Sequence, residues 1–174
     1  MEINKELLDK LFEQAVVNPR LRQNLDLRTS ANDNSQRMLN AMLPGTVVPI
    51  HRHPQSTENV FLLCGKIVEV ICDENGNEKE RIHLDPTVDN YGCVVPKGAW
   101  HTVEVQEPSV IYESKDGKYG EDGSETVDAC LKKRIEDLIE KERRSGSMDV
   151  ITPLYVSRML NVPLEKVNEA LREC

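Results

Sequence analysis

The 174-residue chain predicts a mainly β fold, a sandwich or barrel, with a helix in front of it and a small helical appendage behind it. Short apolar and β-branched runs follow one another from residue 37 to residue 114, with turn residues between them, which is the pattern of a closed or double β sheet. One of those turns contains Asn75-Gly76, the strongest short hairpin signal. Helical periodicity is confined to the two ends of the chain.

Taken in order, 3–17 places Leu7, Leu8, Leu11, Phe12, Ala15 and Val16 on one stripe closed by Asn18-Pro19, an amphipathic helix expected to lie against the sheet. Residues 21–35 are rich in Asn and Asp and read as a loop. Strands are expected over 37–42, 46–53, 59–63, 66–72, 80–84, 93–95, 101–105 and 110–114. A charged, Gly-containing linker follows Gly117. Helix 125–144 carries Val127, Leu131, Ile135 and Leu138 on one side, with Arg143 and Arg144 at its end and Gly146 as its stop. Thr152-Pro153 caps a short helix to Leu160, and Val162-Pro163 starts another to Arg172. This gives two domains, 1–120 and 121–174, the second a three-helix arrangement resembling a helix-turn-helix.

Chemistry concentrates in 45–65. His51 and His53 are two apart in a β run, so both imidazoles leave the same face. Turn residues 54–57 let Glu58 open the next strand and bring a carboxylate back to them. His101 follows a second turn at Pro96-Lys97-Gly98. Three imidazoles and one carboxylate suit a divalent transition metal, and that donor set admits zinc, iron, nickel or manganese. Four protein ligands close a tetrahedral zinc site but leave two positions open in an octahedral one.

The spacing Gly45, His51, His53, Glu58, Gly65 matches the first cupin motif throughout, and Pro96, Gly98 and His101 match the centre of the second. The second motif departs at its ends, where Asn90 stands for its Gly and Val105 for its Asn; Asn90 is expected to take a left-handed turn conformation. The chain thus resembles the cupins, which implies a jelly-roll barrel, with His51, His53, Glu58 and His101 as ligands of one metal ion and Val60 and Leu62 facing inward beside them. More narrowly, Ser35-Gln36-Arg37-Met38, Pro44-Gly45-Thr46, His51-Arg52-His53-Pro54, Trp100-His101-Thr102 and Glu113-Ser114-Lys115 resemble the WbuC-type cupin metalloproteins over residues 1–120. That family has no settled reaction, and its gene neighbourhoods imply a carbohydrate-related role by association.

Around this site Glu113, Lys115 and Tyr112 are candidates to move a proton, and Arg37, Asn40 and Trp100 to touch a substrate. His83 alternates with Ile82 and Leu84 and is expected on the solvated face. Two functions stay open: an enzyme of the cupin type, an isomerase or oxygenase using metal Lewis-acid chemistry on a small oxygenated molecule such as a sugar, and a non-catalytic metal-dependent binding or sensor module with the C-terminal helices as interaction element. A net charge of -8 argues against nucleic acid and anionic membranes, and 124–174 holds nine Lys and Arg against ten Asp and Glu, so no basic recognition helix is visible. No apolar run reaches the roughly 20 residues a membrane span needs. Charged residues at the start do not resemble a signal peptide, so a cytoplasmic setting is expected. Five cysteines without a Cys-x-x-Cys pair predict reduced thiols. Exposed sheet edges of a barrel favour pairing with a second copy, so a homodimer is expected.

Overall fold

In the computed structural model, which describes residues 1–145 and 151–172, the first helix, α1, spans Lys5–Val17. Asn4 caps it by accepting a hydrogen bond from the Leu7 amide. Its buried residues Leu11 and Ala15 share a cluster with Leu39, Ala41 and Val110, and Leu7, Leu8 and Phe12 lie at its margin. Removing a Leu of this kind from water contributes about 1.5–3 kcal/mol. The stripe is narrower than the periodicity implies, because Val16 is 63% exposed.

The strands are β1 (Arg22–Asp26), β2 (Ser35–Met42), β3 (His51–Arg52), β4 (Glu58–Cys64), β5 (Ile67–Cys72), β6 (Glu78–Leu84), β7 (Gly92–Val95), β8 (Trp100–Val105) and β9 (Ser109–Asp116). One sheet has the order β1-β2-β9-β4-β7, and the other runs β3-β8-β5-β6, antiparallel throughout. Met42, Val60, Leu62 and Ile111 of the first sheet meet Ile67 and Leu84 of the second in one buried cluster. The two sheets therefore close on a shared interior, the jelly-roll barrel expected from the motif spacing.

Register decides which side chains enter that interior. Across the first sheet the inward rows are Gln36, Lys115 and Glu58, then Met38, Glu113 and Val60, then Asn40, Ile111 and Leu62. Across the second they are His51, His101 and Ile71, then Val103, Glu69 and Ile82, then Val105, Ile67 and Leu84. Each row is one step deeper, since inward side chains recur every second residue. Gly65 turns β4 into β5 at φ 90°, and a Cβ there would collide with the Pro108 carbonyl and the Ser109 hydroxyl, so only glycine fits.

Three expectations are corrected. Residues 22–26, inside the stretch read as loop, form β1, pairing Leu25 with Leu39 along β2. The strand expected over 46–53 is paired only at its end, in β3, where Pro49 upstream has no amide hydrogen to donate to a ladder. At the start of the second motif the left-handed residue is Asp89, φ 63°; Asn90 instead bridges to Asp85.

The chain divides into two compact units, Met1–Ser124 and Glu125–Cys174. In the second, α2 spans Val127–Ser145, α3 Pro153–Leu160 and α4 Leu164–Arg172. Thr152 caps α3 and Asn161 ends it in the left-handed conformation, as the turn chemistry predicts. Leu131, Ile135 and Leu138 of α2 bury themselves with Val156, Val162, Val167 and Ala170. Gly146, read as the stop of α2, lies outside the described residues. Among the described residues no helix is long and apolar enough to cross a membrane.

Candidate metal centre

His51, His53, Glu58 and His101 come together with one ligand atom of each within 4.8 Å of the others. The ring centroids of His51 lie 5.0 Å from His53 and 4.2 Å from His101. His51 and His101 are cross-strand partners of β3 and β8, and Glu58 opens β4 in the facing sheet. Backbone pairing thus sets His51 beside His101 before any side-chain contact is made.

Each imidazole has its Nδ1 committed elsewhere. His51 Nδ1 bonds the Pro49 carbonyl at 2.9 Å and His101 Nδ1 the Ala99 carbonyl at 3.1 Å. His53 Nδ1 donates to Ser124 Oγ at 2.8 Å, and that hydroxyl donates to Asp122 Oδ2 at 2.7 Å. Gln36 Nε2 donates to the same Asp122 oxygen at 3.1 Å. A proton held on Nδ1 by an acceptor leaves Nε2 with its lone pair, the tautomer that ligation needs. Two of the Nε2 atoms converge on one carboxylate oxygen, Glu58 Oε2, at 3.0 Å from His101 and 3.6 Å from His53. Tested on its chemistry, this donor set fits a divalent transition ion.

Burial, with the neighbouring His101, lowers the His51 pKa to about 4, so that ring is neutral and its lone pair available. At His101 burial opposes charge, yet the hydrogen bond to Glu58 raises its pKa overall. Both its nitrogens face acceptors, the Ala99 carbonyl at Nδ1 and Glu58 at Nε2. Glu58 is held well below the usual carboxylate range: burial works against it, but the hydrogen bond to His101 and the charge of Lys115 prevail. Lys115 Nζ lies 3.1 Å from Glu58 Oε1 and 3.2 Å from His53 Nε2.

Beneath this layer are two further carboxyls. Glu113, inward on β9 and hydrogen-bonded to Asn40, is raised to about 7 by burial and by the charge of Glu58. Glu69, inward on β5 and 3% exposed, is raised to about 8 by burial. Cys93 also faces inward, and burial with the charges of Glu69 and Glu58 pushes its thiol up to about 12.

Of the residues proposed from sequence around the ligands, Glu113, Lys115 and Asn40 share the interior with them. The other three do not. Arg37 and Tyr112 alternate to the outer face of β2 and β9, where Arg37 pairs with Asp33 at 2.6 Å and Tyr112 borders the α1 cluster. Trp100 precedes His101 and so faces outward, buried under Arg52, whose guanidinium is 4.6 Å from the ring. His83 is exposed. Sequence reading missed Glu69, Asp122 and Ser124. The parity of Glu69 within 67–72 was the available signal for the first, whereas nothing in the polar segment 118–124 marks the other two.

The family described as a domain of unknown function (DUF6016) matches residues 3–84. No curated protein matches the chain. Among solved structures, oxalate oxidase in complex with the substrate analogue glycolate is similar at 17% identity and a TM-score of 0.56, over 90% of this chain and 74% of that one. The formate complex of oxalate decarboxylase from Lactobacillus farciminis is similar at 15% identity and a TM-score of 0.53, over 84% of this chain and 38% of that one. Bacillus subtilis oxalate decarboxylase at pH 4.6 gives 14% identity and a TM-score of 0.54, over 84% and 34%. These likenesses show the fold: the first unit is a cupin barrel. Inside it lie His51, His53, Glu58 and His101, a group whose donor atoms could hold a metal ion.

Proposed function

We propose that this protein is a metal-dependent cupin in which His51, His53, Glu58 and His101 hold one divalent ion, zinc, iron, nickel or manganese, and that it acts on a small oxygenated molecule. The observation that carries this reading is the commitment of all three Nδ1 atoms to acceptors, which turns three Nε2 atoms and a carboxylate towards one point. When bound, the ion supplies Lewis-acid polarisation of a carbonyl or hydroxyl oxygen. The chain's own residues supply the rest. Glu113, oriented by Asn40 and poised at about 7, gives or takes a proton. The substrate class follows from the oxygen-seeking site; sugars, sugar acids and hydroxy acids all qualify. The partial resemblance to WbuC-type cupins favours the sugar-related members of that set, and the glycolate held by the similar oxalate oxidase favours a hydroxy acid.

A second reading, a metal-dependent sensor without turnover, is favoured by the separate helical unit with its own buried core, an element suited to contacting a partner. Under either reading we place the protein in the cytoplasm as a homodimer. Elemental analysis of the native protein beside the His51→Ala, His53→Ala double variant tests the metal: the native chain is expected to carry about one ion per subunit and the variant almost none. Equal content in both refutes the proposal. Turnover assays against a pool of sugars and hydroxy acids then separate enzyme from sensor.

A further inference from the structure

Lys115 stands among the proposed ligands without being able to act as one. Its side chain is 8% exposed, β9 turns it inward opposite Glu58, and its Nζ contacts Glu58 Oε1 and His53 Nε2 at 3.1 and 3.2 Å. A lysine ammonium offers only protons. Here it does for Glu58 and His53 what an ion would do, neutralising the carboxylate and engaging the imidazole lone pair. We propose that Lys115 is the resident cation of this site, occupying the ion's place at Glu58 and His53 until an ion loads and drives it out.

This rests on the metal reading above and adds a condition to it. His53 Nε2 has one lone pair, its Nδ1 proton being committed to Ser124, so it accepts from Lys115 or binds the ion but not both. Two cations at contact distance on one buried carboxylate also repel strongly, since the interior screens charge far less than water does. The displaced ammonium has somewhere to go. Its flexible four-carbon stem permits a swing, and both Glu113 and Asp122 already feel its charge. The device has a use: without it the metal-free site would bury the Glu58 carboxylate with fewer counter-charges, and weakly binding ions would load unopposed. Metal affinity is therefore reduced by the fraction of chains in which Lys115 is already out, a cost that its removal lifts.

Dissociation constants for zinc and manganese, measured by chelator competition on the metal-free full chain and on Lys115→Met, test this. If one chain in ten or fewer has the lysine out, the variant binds roughly tenfold tighter or more, and its melting temperature falls in the metal-free state but not in the loaded one. A variant that binds where the native chain does not supports the proposal equally. Equal or weaker affinity in a folded Lys115→Met overturns it and leaves the metal reading standing. Failure of both chains to bind either ion overturns both. Should the Met variant not fold, Lys115→Gln, which keeps a donor for Glu58 and loses the charge, must show the same tightening or the proposal fails.

Discussion

Glu69→Gln removes a carboxyl from the barrel interior while keeping its shape. Burial raises the Glu69 pKa from 4.5 to about 8, so the native state holds a proton that the unfolded chain has released. The sign follows directly: stability is intact below pH 4.5, declines as pH rises towards 8, and the loss is complete above it. At about 1.4 kcal/mol per pH unit, the whole window is worth roughly 5 kcal/mol, and the interval from pH 6 to pH 9 roughly 2.5. Glu113, with a lower raised value, contributes a slope of the same sign over an overlapping range, so the native protein's total is not diagnostic. The difference between native and Glu69→Gln is. Urea unfolding of both metal-free proteins at pH 6 and pH 9, followed through Trp100, the single tryptophan and buried in the barrel unit, isolates it. Native protein is expected to lose roughly 2.5 kcal/mol more than the variant across that interval. Identical losses in the two proteins would refute the claim that Glu69 is buried and protonated.

Asp122→Asn leaves the Ser124 link in place but removes the charge behind His53, and is expected to weaken zinc binding about 10–100-fold; unchanged affinity in chelator competition would show that this charge does not strengthen His53 as a ligand. Cys93, with its thiol pushed up to about 12, should resist a disulfide reagent at pH 8 in the folded protein and react at once in urea, and rapid labelling of the native state, located by peptide mapping, would place it elsewhere. Glu113→Gln should leave metal content unchanged and abolish turnover of whichever compound proves to be a substrate; a variant that keeps full turnover rules Glu113 out as the proton carrier.

That His51, His53, Glu58 and His101 come together was legible because a two-residue histidine spacing in extended chain, a turn and a carboxylate make one geometric statement that tertiary context has little room to alter. The flanking residues were not, and the reason is parity. Glu113 and Lys115 are separated from Tyr112 and Ser114 by a single step along β9, and which set faces the histidines depends on the pairing of Glu58 with Lys115, a long-range register that no local pattern encodes. The same step separates inward Asn40 from outward Arg37's row, and His101 from Trp100. β1 was hidden differently. Its one apolar residue opposite β2 is Leu25, and the rest are Arg, Gln, Asn and Asp, a composition that reads as loop until α1 and β2 supply something to pair against. Asp122 and Ser124 lie in a glycine-punctuated segment whose role exists only through contact with His53.

The barrel interior departs from the rule that two packed sheets bury apolar faces. Its deeper rows obey it, with Ile67, Leu84, Val105 and Leu62, and the polar groups gather at the other end, with His51, His53, Glu58, His101 and Lys115 in one layer and Glu69 and Glu113 just below. Burying charge is expensive unless it is paired and hydrogen-bonded, and here it is paired: Glu58 with His101 and Lys115, Asp122 with Gln36 and Ser124. A purely structural barrel would gain stability by replacing this cluster with aliphatic side chains of equal volume. Binding an ion explains the quartet and its supporting acceptors but not Glu113, which no ligand position requires and whose value of about 7 lies where a group exchanges protons most readily at neutral pH. On the proposed reading a sensor would need only the first of these features, whereas an enzyme would need both, and turnover by Glu113→Gln is the measurement that separates them.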